Sequence, residues 1–365
     1  MKAKDSPKKD ELEPLLTPKI SVNGEEILET KPKLKMTQHA HSIPLQIENF
    51  QNWDFGKLNM IFGTDSQPFI MFVNQKGKSV TMGVKSNMSV RNHQSVVRLD
   101  EERLIFVGGV NHLFNHVTSK CYEYNIRSSK YTKMGNLINR RFFAQVAFTK
   151  GRLLVMGGRD YGGDSIAILN SCEEYDFGLK KWVQMSNLNY ARCNFTSVVF
   201  KDHIYVFSGL GKSSDLLNSI ERFNFEKNEW EVLGLEISQD MLGNLSFHKG
   251  NHLLVLGGTR AWGPGSFVKL NMKYGADLGE ANLKRIQNKN ALSKPVVTEK
   301  EVLVFGGFFS NVIVLDRKSL SIVDDSKVTS RYSQVISQID RLCLQSFRLT
   351  KCSFVLPVEN SGGQL

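Results

Sequence analysis

The chain is organised by short apolar runs that end in small residues and are separated by polar, turn-rich stretches. One such run recurs as "LIFVGG" to Gly109, "LLVMGG" to Gly158, "IYVFSG" to Gly209, "LLVLGG" to Gly258 and "VLVFGG" to Gly307. The small-residue pairs begin at 108, 157, 208, 257 and 306, which gives intervals of 49, 51, 49 and 49 residues. A decayed sixth copy, "LCLQSF", ends at Phe347. Apolar runs of this length, bounded by turn signals, predict strands, and their regular return predicts a repeat architecture.

Two further columns keep the same phase. A strand-like segment ends in an apolar residue followed by Asn74, Asn125, Asp176, Asn224, Asn271 or Asp316. Asn and Asp satisfy nearby backbone groups and tolerate turn geometry, so each starts a hairpin loop. Seven residues after the apolar residue stand Val80, Tyr131, Trp182, Trp230, Asp277 and Ile322. Across a hairpin this spacing returns one ring against another, as for Tyr175 with Trp182 and Phe223 with Trp230. About sixteen residues before each small-residue pair lies a column of Arg91, Arg141, Arg192 and Arg331, with Met241 and Asn290 in the remaining copies.

Each period therefore holds four short strands, and no window shows convincing helical periodicity. Four antiparallel strands repeated at roughly fifty residues describe the blade of an all-β propeller. A blade cannot cover both of its faces alone, and stacking between neighbours solves that problem. The predicted ring has six four-stranded blades. The closing one is made from both chain ends, with the third and fourth strands around Phe69 to Val73 and Val80 to Val84, and the first and second from "YSQVISQIDRLCLQS". The segments "LNMIFGTD" and "CSFVLPV" also read as strands, which leaves seven irregular blades as the alternative.

The diglycine after an apolar strand, the Tyr and Trp of "EYDFGLKKW" and the Arg-led first strand resemble the kelch repeat over roughly residues 58 to 347. The resemblance implies a kelch-type β-propeller. The small-residue positions Gly108, Gly109, Gly157, Gly158, Gly209, Gly257, Gly258, Gly306 and Gly307, with Tyr175, Trp182 and Trp230, form its structural repeat. Glycine at such points marks close backbone approach or a bend. The loop "RLLVMGGRDYGGDS" is accordingly read as punctuation, because it lacks the lysine and following helix of a phosphate-binding loop.

Composition changes the picture little. The 365 residues are 41% hydrophobic and 23% charged, with a net charge of +11. No five consecutive basic residues occur, so an unspecialised basic surface is favoured over a nucleic-acid footprint. Residues 1–45 carry eight lysines and seven acids, with no aromatic residue, and are expected to be a disordered tail. The propeller is assigned to 46–357 and a flexible C-terminal tail to 358–365. The five cysteines form no C-x-x-C pair, and neither an apolar signal core nor an eighteen-residue apolar run occurs; a cytoplasmic setting without membrane insertion is expected.

The functional expectation is a protein-binding scaffold or adaptor, and not an enzyme. Antiparallel order places the loops between second and third strands on one face, beside the start of the Arg column. Candidate contacts there are Arg91, Arg141, Arg192 and Arg331, with His112, Phe114, Arg159, Tyr161, Arg260 and Trp262 from the loops, a mixture typical of binding hot spots. A structural role competes for each column arginine, which would tie neighbouring blades through backbone carbonyls. The resemblance implies two alternatives: a ubiquitin-ligase substrate receptor with the linking domain supplied in trans, and a kelch-like enzyme. Polyanion binding is a third. No metal or cofactor site can be composed from the eight histidines, and oligomeric state and partner identity stay open.

Overall fold

The computed structural model describes residues 59–63, 69–74, 76, 79–83, 91, 93–111, 116–128, 130–162, 165–200, 203–237, 245–249, 252–256, 266–271, 276–282, 296–306, 311–319, 323 and 352–355. All of them lie within the unit Ser42–Leu365. The expected tails, 1–45 and 358–365, lie outside the described residues.

The described strands are antiparallel and follow the predicted period. Three complete four-stranded sheets are Ser95–Arg98, Arg103–Val107, Cys121–Asn125 and Lys130–Lys133; then Gln145–Thr149, Arg152–Met156, Cys172–Asp176 and Lys181–Met185; then Thr196–Phe200, His203–Phe207, Ser219–Asn224 and Glu229–Glu236. A fourth comprises Leu245–Lys249, His252–Leu256, Ser266–Asn271 and Ala276–Asn282, and Val296–Val297, Glu301–Gly306 and Asn311–Asp316 form a three-stranded sheet. The first strands stand side by side in chain order, Ser95–Arg98 beside Gln145–Thr149, then Thr196–Phe200, then Leu245–Lys249. In two blades the second-to-third connection carries its own ribbon, pairing Val110–Asn111 with His116–Val117 and Arg159–Gly162 with Ser165–Ile168.

The reason for the continuous apolar runs is visible in the core. Leu153 and Val155 pack with Ile105, Val107 and Cys121 of the preceding blade. Leu154 and Met156 of the same strand pack with Phe195, Ile204 and Val206 of the following one. Both faces of the second strand are thus covered, and alternation disappears from its sequence.

The turn columns behave as read. The Oδ1 atoms of Asn125, Asp176 and Asp316 accept the backbone N–H three residues later, at 2.8, 2.8 and 2.7 Å. Tyr124 faces Tyr131, Tyr175 faces Trp182 and Phe223 faces Trp230 across their hairpins. The N-terminal copy differs: its hairpin is one residue shorter, and Val80 faces Phe72.

The composition of the N-terminal sheet is a second correction. Its order is Cys352–Val355, Asn59–Gly63, Phe69–Val73, Ser79–Gly83, with Met60 opposite Val355. Strands from both ends share one sheet, but "LNMIFGTD" is the second strand and "CSFVLPV" the first. The local hairpin from Gly63 to Phe69 closes a far shorter loop than recruitment of a second strand from the other end, so it wins on closure entropy. The stretch "YSQVISQIDRLCLQS" lies outside the described residues.

Candidate partner-binding face

The arginine column sits where one blade hands over to the next. Arg141 donates from Nη1 to the carbonyl oxygens of Gly157 (2.7 Å) and Ser171 (2.8 Å), and from Nη2 to Ser171 Oγ (3.1 Å) and Glu173 Oε1 (2.5 Å). Arg192 repeats the pattern one blade on, toward the Ser208 and Ser219 carbonyls, Ser219 Oγ and Glu221 Oε1 (2.8 Å). Glu173 in turn accepts the backbone N–H groups of Ile138 and Asn139, and Glu221 those of Asn189 and Tyr190. All four charged side chains have zero exposure. Burial pulls the pKa of Arg192 below the usual arginine value, and the Glu221 charge opposes that pull.

This geometry corrects the reading of Arg141 and Arg192 as partner contacts. Their guanidinium groups are sealed inside the blade and committed to internal acceptors, so they serve the structural alternative. Their backbone carbonyls explain the diglycine. The Gly109 N–H donates to Arg141 O (2.9 Å) and the Gly158 N–H to Arg192 O (2.8 Å). Gly157 has φ +55°, and a Cβ there would stand 2.6 Å from Arg192 O. The two columns are halves of one joint between successive blades.

Two residues after each described arginine the backbone turns left-handed, at His93, Phe143 and Asn194 (φ 53°, 53° and 52°). These residues are linked in sequence, Phe143 N–H donating to His93 O and Asn194 N–H to Phe143 O. The intervening Phe142 forms a two-way backbone bridge with Arg159 of the ribbon. The ribbon is thereby fixed beside the Arg column.

Of the loop candidates, the structure brings Arg159 and Tyr161 together. The Arg159 guanidinium carbon lies 4.8 Å from the Phe142 ring centre, 5.4 Å from Phe143 and 5.7 Å from Tyr161. His93 packs on Phe143 with ring centres 3.9 Å apart. Arg140 pairs with Asp160 at 3.2 Å on the same ribbon. His93, Arg140, Phe142 and Phe143 were not among the sequence candidates, although each falls within two residues of a column arginine. Glu173 and Glu221 were also missed; they share a position three residues before the turn Asp or Asn. Arg91 is half-buried, and its backbone N–H donates to Gln94 Oε1. His112, Phe114, Arg260, Trp262 and Arg331, with Gly257, Gly258 and Gly307, lie outside the described residues.

Chemically reactive groups are poorly placed at this face. Cys121 and Cys172 are free and buried, and burial pushes both thiols up to about 12; Cys193 rises to about 11, with the Arg159 charge working against the shift. Thiols held so far above neutrality carry little thiolate. Among the described residues no group of three or more His, Cys, Asp or Glu is placed to hold a metal ion. No described helix is long and apolar enough to cross a membrane.

Comparison with known proteins agrees with these repeats. The Kelch motif model matches residues 140–189 and 191–234, the two blades that carry the buried ion pairs. Alpha-scruin of Limulus polyphemus is 23% identical over 141 residues, covering 38% of this chain and 15% of that protein. Kelch-like protein 36 of Bos taurus is 27% identical over 157 residues, covering 40% of this chain and 24% of that protein. The chain thus spans under a quarter of the length of these two relatives. A solved structure titled "Structure of YjhT" aligns with a TM-score of 0.51 and 14% identity over 61% of this chain and 74% of that chain, a likeness of fold. With glycine pairs seated on the carbonyls of the next blade's arginines and aromatic hairpin pairs in register, residues 140–189 and 191–234 are kelch repeats, and the chain is similar to kelch-repeat proteins.

Proposed function

We propose that this chain is a non-enzymatic interaction module, a scaffold or adaptor that binds a partner protein or peptide through the face bearing the second-to-third-strand ribbons. The observation that carries this reading is Arg159. Its guanidinium is held against three aromatic rings on a ribbon pinned to the Arg column, and it has no carboxylate partner among the described residues. A cation fixed on aromatic faces loses little freedom on binding, which favours recognition. Tyr161 extends the same surface, and the half-exposed Ile166 faces it across the ribbon.

His112, Phe114, Arg260, Trp262 and Arg331 join the proposal by repeat position alone. We read the architecture as six blades, the one containing Asn59–Gly63 and Cys352–Val355 being shared by both ends, with 1–45 as a tail and a cytoplasmic setting. The raised thiol pKa values support a non-catalytic reading. A ubiquitin-ligase substrate receptor is a special case of the same module.

The test is affinity capture from lysate with the full chain and with the R159A/Y161A variant, after circular dichroism has shown both folded. The reading expects partners that survive high salt with the parent and are lost with the variant. Equal capture by both would remove this face, and capture only at low salt with nucleic acid would favour polyanion binding.

A further inference from the structure

The first arginine repeat departs from its two sisters at the receptor for the guanidinium. Glu173 and Glu221 stand three residues before the turn Asp176 and Asn224; the same position before Asn125 is Tyr122. Ser171 and Ser219, whose hydroxyls also accept from the guanidinium, correspond to Lys120. Both side-chain acceptors are therefore gone, and a second cation has been added.

The structure records the consequence. Among the described residues the buried Arg91 Nε has no hydrogen-bond partner, which is equally true of Arg192 Nε; what sets Arg91 apart is that Lys120 and Tyr122 replace the serine and glutamate that answer the Nη2 atoms of its sisters. The Tyr131 hydroxyl is buried without a partner as well. Tyr131 stacks on Tyr122 with ring centres 4.9 Å apart. Burial raises the Tyr131 phenol above its ordinary value, and the Arg91 charge is near enough to pull in the opposite direction. In the sister repeats the charged pair has zero exposure, whereas Arg91 is half-buried and Lys120 exposed, so this receptor opens toward solvent.

An Arg91 guanidinium without the serine and glutamate of its sisters and a buried, unpartnered Tyr131 hydroxyl form a cradle whose missing element is an anion, and repeat position adds Lys120 to it. The sisters identify the anion's chemistry, since each fills the place with a carboxylate. We propose that Arg91, Tyr131 and Lys120 form a carboxylate-binding site, occupied by an acidic side chain of the partner. This rests on the interaction-module reading and assigns that partner an Asp or Glu seated in the blade of Gly108.

The probe is acetate, titrated into the 15N-labelled full chain against chloride at matched ionic strength, with the arginine Nε–H signals observed. The Arg91 signal, assigned by its absence in R91K, is expected to move saturably with acetate and not with chloride, while those of Arg141 and Arg192 stay in place. Y122E, which supplies the carboxylate internally, should raise the thermal midpoint and weaken acetate binding at least about tenfold, as expected when a charge-assisted acceptor is already in place. Should Y122E not fold, Y131F removes a single hydroxyl and should still weaken acetate binding. An Arg91 signal that ignores acetate, responds equally to chloride, or responds to phosphate alone would overturn the proposal. Capture through Arg159 and Tyr161 is read in a separate experiment, so either idea can fail without the other.

Discussion

The repeats led by Arg141 and Arg192 and the repeat led by Arg91 are built to the same plan and differ in what answers the arginine. In the first two, a buried glutamate and a serine accept from the guanidinium's Nη2, and the connector's N–H groups donate to the glutamate. In the third, Tyr122 and Lys120 stand in those places, so neither glutamate nor serine answers the guanidinium. The difference separates fastening from recognition: an arginine with an internal acid holds blades together, and one without it is left to meet something else. The next copy makes the same point by omission. Met241 stands in its Arg column and Val268 in its Glu column, so cation and acid have been replaced together.

The comparison breaks most severely when one member of a buried pair is removed. E173A and E221A strand an arginine with zero exposure, and each should cost about 3–5 kcal/mol in urea unfolding. Tyr122→Ala, which removes no internal acid, should cost clearly less, and equal losses would erase the distinction between the repeats. G157A should follow at about 1–3 kcal/mol, because its left-handed backbone and the nearby Arg192 carbonyl both oppose a methyl group.

Smaller effects sharpen the contrast. R159A should change stability by less than about 0.5–1 kcal/mol while abolishing partner capture, since Arg159 lacks an internal carboxylate. The thiols provide a pH test. Cys121 and Cys172, raised by burial to about 12, stay protonated at neutral pH in the folded protein, so iodoacetamide should label them only as fast as the chain unfolds. Rapid labelling at pH 8 without urea would show that these blades open.

Much of this organisation was legible from residues. The diglycine and Asn or Asp columns were readable because each answers a backbone demand that recurs at one place in every blade. The ring pairs followed from hairpin spacing, and the one failure, at Val80, came from a turn shorter by one residue. The Glu column was hidden by its neighbour. Glu173 and Glu174 look alike in sequence, yet Glu173 is sealed against Arg141, while Glu174 faces outward to Arg152 with its side chain 23% exposed. Reading the arginine and glutamate columns together, with Met241 and Val268 as their joint replacement, would have revealed the pair. The loop surface was legible only in part, because its His93, Phe142 and Phe143 lie in the connector and not in the loops that advertise themselves by length.

The most direct test of the account is a double-mutant cycle on Arg141 and Glu173, using R141M, E173V and their combination, which copies the residues of the Met241 repeat. If the pair fastens the blade as a unit, each single variant should lose about 3–5 kcal/mol, and the double should recover most of that loss. Additive losses would contradict the account, for they would mean that the two residues stabilise the blade independently and that the contrast with Arg91 has no physical basis.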